Sequence, residues 1–188
     1  QWGCAFTANY IYDAAYANFF NILLAMPPIL LLGCSDQDVP AEAALKCPQL
    51  YRRGIRHASY SMPWFLVYLA NGIWQSLCCY FIPRLAYSAA IVDTAGHPEA
   101  RIFLGNATAL SVVFCVNAFV LLNTKAWTAI ILGGFAVTVA VLLLLTVIGS
   151  VIPTAGLYGS YVQFAHPRSY AAVILAIVVA LSPQILFK

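Results

Sequence analysis

Five apolar stretches, each close to twenty residues long, decide most of what this 188-residue chain can become. They run over residues 14–34, 63–83, 102–122, 127–150 and 169–187. A bilayer core of about 30 Å is crossed by about 20 apolar residues in a helix, which satisfies its backbone polar groups within one segment. The chain is 63% hydrophobic and 8% charged, whereas a soluble domain carries about 25% charged residues. That composition cannot clothe a water-facing surface. It excludes a soluble globular domain, a disordered chain and a disulfide scaffold. The expected fold is all-α, a polytopic transmembrane helix bundle of five complete spans. Residues 1–13 are too short to cross, and residues 1–8 read as the tail of one further span. Gln1, with no Met or signal peptide before it, and Lys188, directly after an apolar run, read as cut ends of a longer chain.

Charge orients the bundle. With alternating spans, the loop 35–62, the turn 123–126 and the C-terminus share one side, and they carry Lys46, Arg52, Arg53, Arg56, Lys125 and Lys188. The other side carries Arg84, Arg101 and Arg168. Six basic residues against three make the first side cytoplasmic by the positive-inside rule. A net charge of +3 gives no reason to expect nucleic acid.

No charged residue falls within the five apolar cores. Intramembrane carboxylates are costly and mark cation pathways, so this region does not move cations on carboxylates of its own. Its polar groups are neutral, among them Asn21, Asn71, Gln75, Asn106, Asn117, Thr138 and Thr146. The six cysteines show no metal spacing and read as small hydrophobes. His57, His97 and His166 lie in loops with no second ligand three or four residues away, so no metal site is expected. Motifs for nucleophilic, phosphate-binding or zinc chemistry are missing, so neither a catalytic residue nor a cofactor is expected within this chain. Asn106-Ala107-Thr108 matches a glycosylation sequon, but it lies inside an apolar helix and reads as a packing asparagine.

Two features stand out from this background. Pro27-Pro28 interrupts the first span, removing two backbone donors, and freed carbonyls at membrane depth need protein or water around them. Asn21, seven residues before Pro28, makes the same stretch a candidate substrate route. It is therefore expected to matter more than Asn117, which lies on an unbroken span. Just beyond this span come Asp36 and Asp38, which oppose the helix dipole and so are not favourable caps. With the basic stretch 48–54 they read either as a solvated loop carrying positive-inside charge or as a docking surface for a soluble domain or for anionic lipid heads.

These motifs carry a resemblance. Phe6-Thr7-Ala8-Asn9 with Tyr12-Asp13, then Phe20-Asn21 and Pro28, follow one another in the order seen in type IV P-type ATPases, the phospholipid flippases. Gly33 with Asp36-Gln37-Asp38-Val39 is similar to the segment that follows the sixth span in that family. Pro48-Gln49-Leu50-Tyr51, Gly54, Asn71-Gly72-Ile73 with Ser76, Asn123 and Trp127-Thr128 continue the likeness. The resemblance implies the C-terminal membrane region, from the end of span five through span ten. It implies a parent enzyme that uses ATP and Mg2+ through upstream cytosolic domains of the same chain. That parent moves phospholipid from the exoplasmic to the cytoplasmic leaflet of a eukaryotic plasma, Golgi or endosomal membrane. It further implies an accessory two-span β-subunit, Asn21, Pro27 and Pro28 along the substrate path, Asp36 and Asp38 in a coupling loop, and spans seven to ten as a rigid scaffold. Leu24-Ala25-Met26 stands where the family usually carries hydroxyl residues, and Cys4 where it carries an asparagine, which leaves head-group preference open. The competing reading is a small non-enzymatic membrane protein of five spans, a scaffold or passive transporter.

Overall fold

The computed structural model describes residues 18–37, 39–55, 61–91, 99–151 and 167–186. The first helical segment opens as a π-turn, Phe20–Ala25, and continues as α1, Met26–Ser35. Two short helices follow, α2 (Ala41–Lys46) and α3 (Tyr51–Ile55), separated by a 3₁₀ turn at Pro48–Leu50. Four long helices complete the described chain: α4 (Met62–Ile91), α5 (Glu99–Asn123), α6 (Ala129–Val151) and α7 (Pro167–Leu186). No strand occurs among the described residues.

Each of the long helices contains a segment long and apolar enough to cross a membrane, and the apolar helix Phe20–Ser35 is shorter. The first expected span began at residue 14, and its opening residues lie outside the described ones. The second expected span stopped at Pro83, yet α4 continues through it to Ile91. One proline removes one backbone donor, and neighbouring helices can answer the freed carbonyl. Pro83 is buried, and the Arg84 Nη1 that follows donates to the Tyr80 hydroxyl at 2.8 Å. The loop 35–62 is not plain coil either. In α2, Glu42 in the first turn and Lys46 in the last complement the helix dipole.

α5 is the centre of the bundle. Its apolar window is 61% buried, against 11% for α4 and 28% for each of α6 and α7. One face of α5 brings Ala109, Leu110 and Val113 against Leu24 of the π-turn and Leu142 of α6. Another brings Cys115 against Cys78 and Cys79 of α4 and Ala180 and Leu181 of α7. These three cysteines are free thiols packed as small core side chains, as the sequence suggested. Asn106 is equally buried, which fits a packing role.

Lipid offers little hydrophobic drive between helices, so close approach relies on small residues. Ala172, Ala176 and Ala180 provide that seam on α7, at every fourth position. Gly134, Thr138 and Thr146 do so on α6, around the buried Leu142, with both threonine hydroxyls donating to carbonyls of their own helix, Gly134 O and Leu142 O.

The packing forms two groups. α4, α5 and α7 pack mutually, whereas α6 packs chiefly on α1 and the π-turn. A cleft of about 290 Å³ lies in the seam, lined by Leu110, Phe114, Leu143, Tyr170, Val173 and Ile174. At one end of the bundle the Tyr87 hydroxyl donates to Ser169 Oγ at 2.8 Å, and at the other Gln184 Nε2 donates to Asn123 Oδ1 at 2.9 Å. Asp36, the turn 123–126 and the end of α7 therefore gather at the same end, as alternation of the spans required.

Candidate functional site

Pro27 and Pro28 set the local structure. In an α-helix the N–H groups of residues 27 and 28 would donate to the carbonyls of Leu23 and Leu24, and proline has no N–H. The chain answers by widening. The Met26 N–H donates to Asn21 O, one residue beyond the α-helical partner, and Phe20–Ala25 becomes a π-turn. Such turns are rare and occur frequently at functional sites.

The Leu24 carbonyl is satisfied from outside its own helix. Asn117 Nδ2, on α5, donates to Leu24 O at 3.1 Å and to Val113 O of its own helix at 2.8 Å. Two carbonyls facing one end of an amide settle which end it is, because the oxygen there would meet acceptors only. Asn117 is 2% exposed, and Leu24 is fully enclosed. Among the described residues the Asn117 Oδ1 has no hydrogen-bond partner, an omission that costs about 1–3 kcal/mol for a buried acceptor. The amide is placed for donation at the expense of its acceptor.

Asn21 is exposed, while Leu24 and Pro28 face the described bundle. Pro27 is half-buried. The broken helix thus separates its roles by face, with a neutral amide outward and the break itself sealed inward. It also lies close to α6. A Cβ placed on Gly134 would run into Leu31 Cδ1, so only glycine permits this approach without displacing Leu31.

Asp36 lies apart from this break. Its Oδ1 accepts the backbone N–H of Lys125 at 3.1 Å and of Ala126 at 2.7 Å. An acid just beyond a helix C-terminus is unfavourable on its own helix, and the two N–H groups of the α5–α6 turn compensate it. Asp38 lies outside the described residues. The structure therefore keeps Asn21, Pro27 and Pro28 together and places Asp36 at the end of the bundle. Asn117, taken from the sequence as an ordinary polar residue of an unbroken span, is directly bonded to the break. The signal was present: two prolines orphan carbonyls, and a buried amide on an apolar helix is a donor able to meet one.

A sequence model described as the C-terminal region of phospholipid-translocating P-type ATPases matches residues 1–188. The chain belongs to this family. It is 30% identical over 186 residues, 97% of its length, to Phospholipid-transporting ATPase dnf2 of Schizosaccharomyces pombe. It is 31% identical over 195 residues to human Phospholipid-transporting ATPase VB, across its whole length. With Phospholipid-transporting ATPase DNF1 of Chaetomium thermophilum it shares 34% identity over 127 residues, 66% of its length and 8% of that relative's. The chain spans 13% of the length of the first two relatives. Helices able to cross a membrane, in a family of membrane transport ATPases, make this an integral membrane protein and the C-terminal membrane domain of its family.

Proposed function

We propose that this chain is the supporting half of the membrane domain of an ATP-driven phospholipid flippase, which moves lipid from the exoplasmic to the cytoplasmic leaflet. The observation that carries the reading is the π-turn before Pro27-Pro28, which holds the neutral amide of Asn21 outward on an apolar helix. A zwitterionic or anionic head group crossing a bilayer needs dipoles along its way, and fixed carboxylates would select cations instead. Asn21 lies on one wall of that path, Pro27 and Pro28 shape that wall through the helix break, and upstream spans of the parent supply the facing wall. Asp36 and Asp38 connect the path helix to the cytoplasmic side, where the loop 35–62 and the C-terminus lie by their excess of basic residues.

Among the described residues no three His, Cys, Asp or Glu side chains stand together to hold a metal ion. The described residues therefore offer no carboxylate cluster for Mg2+, the ion that a P-type ATPase uses together with ATP. In this reading both act on cytosolic domains of the parent. A two-span β-subunit accompanies the pump in a eukaryotic plasma, Golgi or endosomal membrane.

The test uses the purified full-length parent in lipid nanodiscs, with ATP hydrolysis measured against added phospholipid. Wild type is expected to be stimulated, and Asn21→Ala to lower turnover at sub-saturating lipid about tenfold, the effect of losing about 1.4 kcal/mol of head-group binding. Wild-type hydrolysis indifferent to every glycerophospholipid tried would refute the assignment. Full stimulation of the Asn21→Ala pump would remove this residue from the path.

A further inference from the structure

Pro28 lacks the N–H that would donate to the Leu24 carbonyl in an α-helix, and Asn117 of α5 donates to that carbonyl instead. We infer that Asn117 is a positioning residue of the lipid path: by donating to Leu24 O it fixes the π-turn in the register that turns Asn21 outward. The inference rests on the flippase reading, and it adds a residue on a different helix that touches neither lipid nor Asn21.

Four observations support it. The bond runs to backbone rather than to a side chain, so it constrains the helix path itself. It falls inside the π-turn, three residues after Asn21, where a change in helical spacing rotates everything before it by roughly 100°. Asn117 is nine-tenths buried or more, and its acceptor is left without a partner, so the amide is not retained for its own satisfaction. Ser111, two turns earlier on α5 and fully buried, provides the contrast. Its hydroxyl donates to Ala107 O of its own helix and leaves the broken segment untouched.

If the Leu24 carbonyl lost its donor, the π-turn would resettle with water or in another spacing, and Asn21 would leave its place on the wall. The lipid would still be pumped once bound, but it would be bound less well. The expected signature is a split between affinity and turnover.

Full-length wild type, Asn117→Leu and Ser111→Ala are compared in nanodiscs for phospholipid-stimulated ATP hydrolysis. Asn117→Leu is expected to raise the lipid concentration for half-maximal stimulation about tenfold, the order expected for one orphaned buried carbonyl. Maximal turnover should change less than twofold, and Ser111→Ala should leave both unchanged. An equal effect of the two variants, or a loss of turnover at unchanged half-maximal lipid, would overturn the inference.

Thermal unfolding supplies a second arm that needs no activity. Pro28→Ala returns an N–H to Leu24 O, so the midpoint shift caused by Asn117→Leu should fall by more than half in the Pro28→Ala background. Additive shifts would overturn the tie even for a chain that hydrolyses no ATP, and coupled shifts in a chain with no lipid stimulation would refute the function alone. Should Asn117→Leu fail to fold, Asn117→Ser replaces it in both arms. Its hydroxyl can bond Val113 O and leaves Leu24 O unpaired, and the same outcomes decide.

Discussion

Asp36 Oδ1 accepts the backbone N–H of Ala126 at 2.7 Å, which ties the end of the broken helix to the turn between α5 and α6. The second bond, from the Lys125 N–H, makes this a two-donor seat for one carboxylate. Hydrogen bonds to charged groups contribute about 1.5–3 kcal/mol when well made, and less at a partly exposed site. Asp36→Ala is therefore expected to destabilise the bundle by about 1 kcal/mol, and Asp36→Asn, which keeps a neutral acceptor, by about half as much. Thermal unfolding in nanodiscs ranks the variants, and trypsin cleavage after Lys125 should quicken in the same order. Cleavage and midpoint both equal to wild type in Asp36→Ala would show that the seat contributes nothing.

Gly134 and Gly133 are neighbours with opposite surroundings. A Cβ on Gly134 meets Leu31, whereas one on Gly133 meets nothing within 4 Å. Gly134→Leu should push α6 away from α1 and cost about 1–3 kcal/mol, the range for overpacking a close contact. Gly133→Leu should be near neutral. Gly134→Ala is milder, because the obstructing atom is the end of a flexible side chain. Measured midpoints in the order Gly133→Leu, Gly134→Ala, Gly134→Leu, from least to most destabilised, would bear this out, and equal midpoints for the two leucine variants would not.

The Tyr87 hydroxyl donates to Ser169 Oγ at a buried junction of α4 and α7. Interhelical hydrogen bonds in a membrane protein average about 0.6 kcal/mol in double-mutant cycles. A cycle of Tyr87→Phe and Ser169→Ala is expected to return a coupling of that order. A coupling indistinguishable from zero would mean that small-residue packing alone holds α4 to α7.

How far the sequence could be read depends on the kind of signal. Helical spans follow from hydrophobicity over a long window, and α5, α6 and α7 begin and end within a few residues of the stretches read for them. Pro83 misled, because a proline was taken as a boundary where tertiary surroundings carry the helix through. The break at Pro27-Pro28 was legible, since a missing N–H is a property of the residue itself. Its form was not: nothing in the sequence says whether the helix kinks, unwinds or widens, and the π-turn depends on how Leu24 packs against Leu142 and Val113. Asn117 was visible as a polar residue but not as a partner, because its bond to Leu24 spans 93 positions. Asp36 was read as an unfavourable cap on its own helix. The compensating N–H groups lie 89 and 90 residues away.

Spans seven to ten were expected to form a comparatively rigid scaffold, and the packing groups them in two sets. α6 is seated on α1 and the π-turn, while α4, α5 and α7 hold to one another. A passenger moves with its carrier. A tilt of the broken helix would reach α6 first, through the Gly134–Leu31 approach, and the apolar cleft between α6 and the α5–α7 pair lies where such a shift would be taken up. The bundle has the layout of a two-piece lever, with Asn117 and Asp36 as the polar rivets at its joint and greasy, shape-tolerant packing wherever the pieces slip.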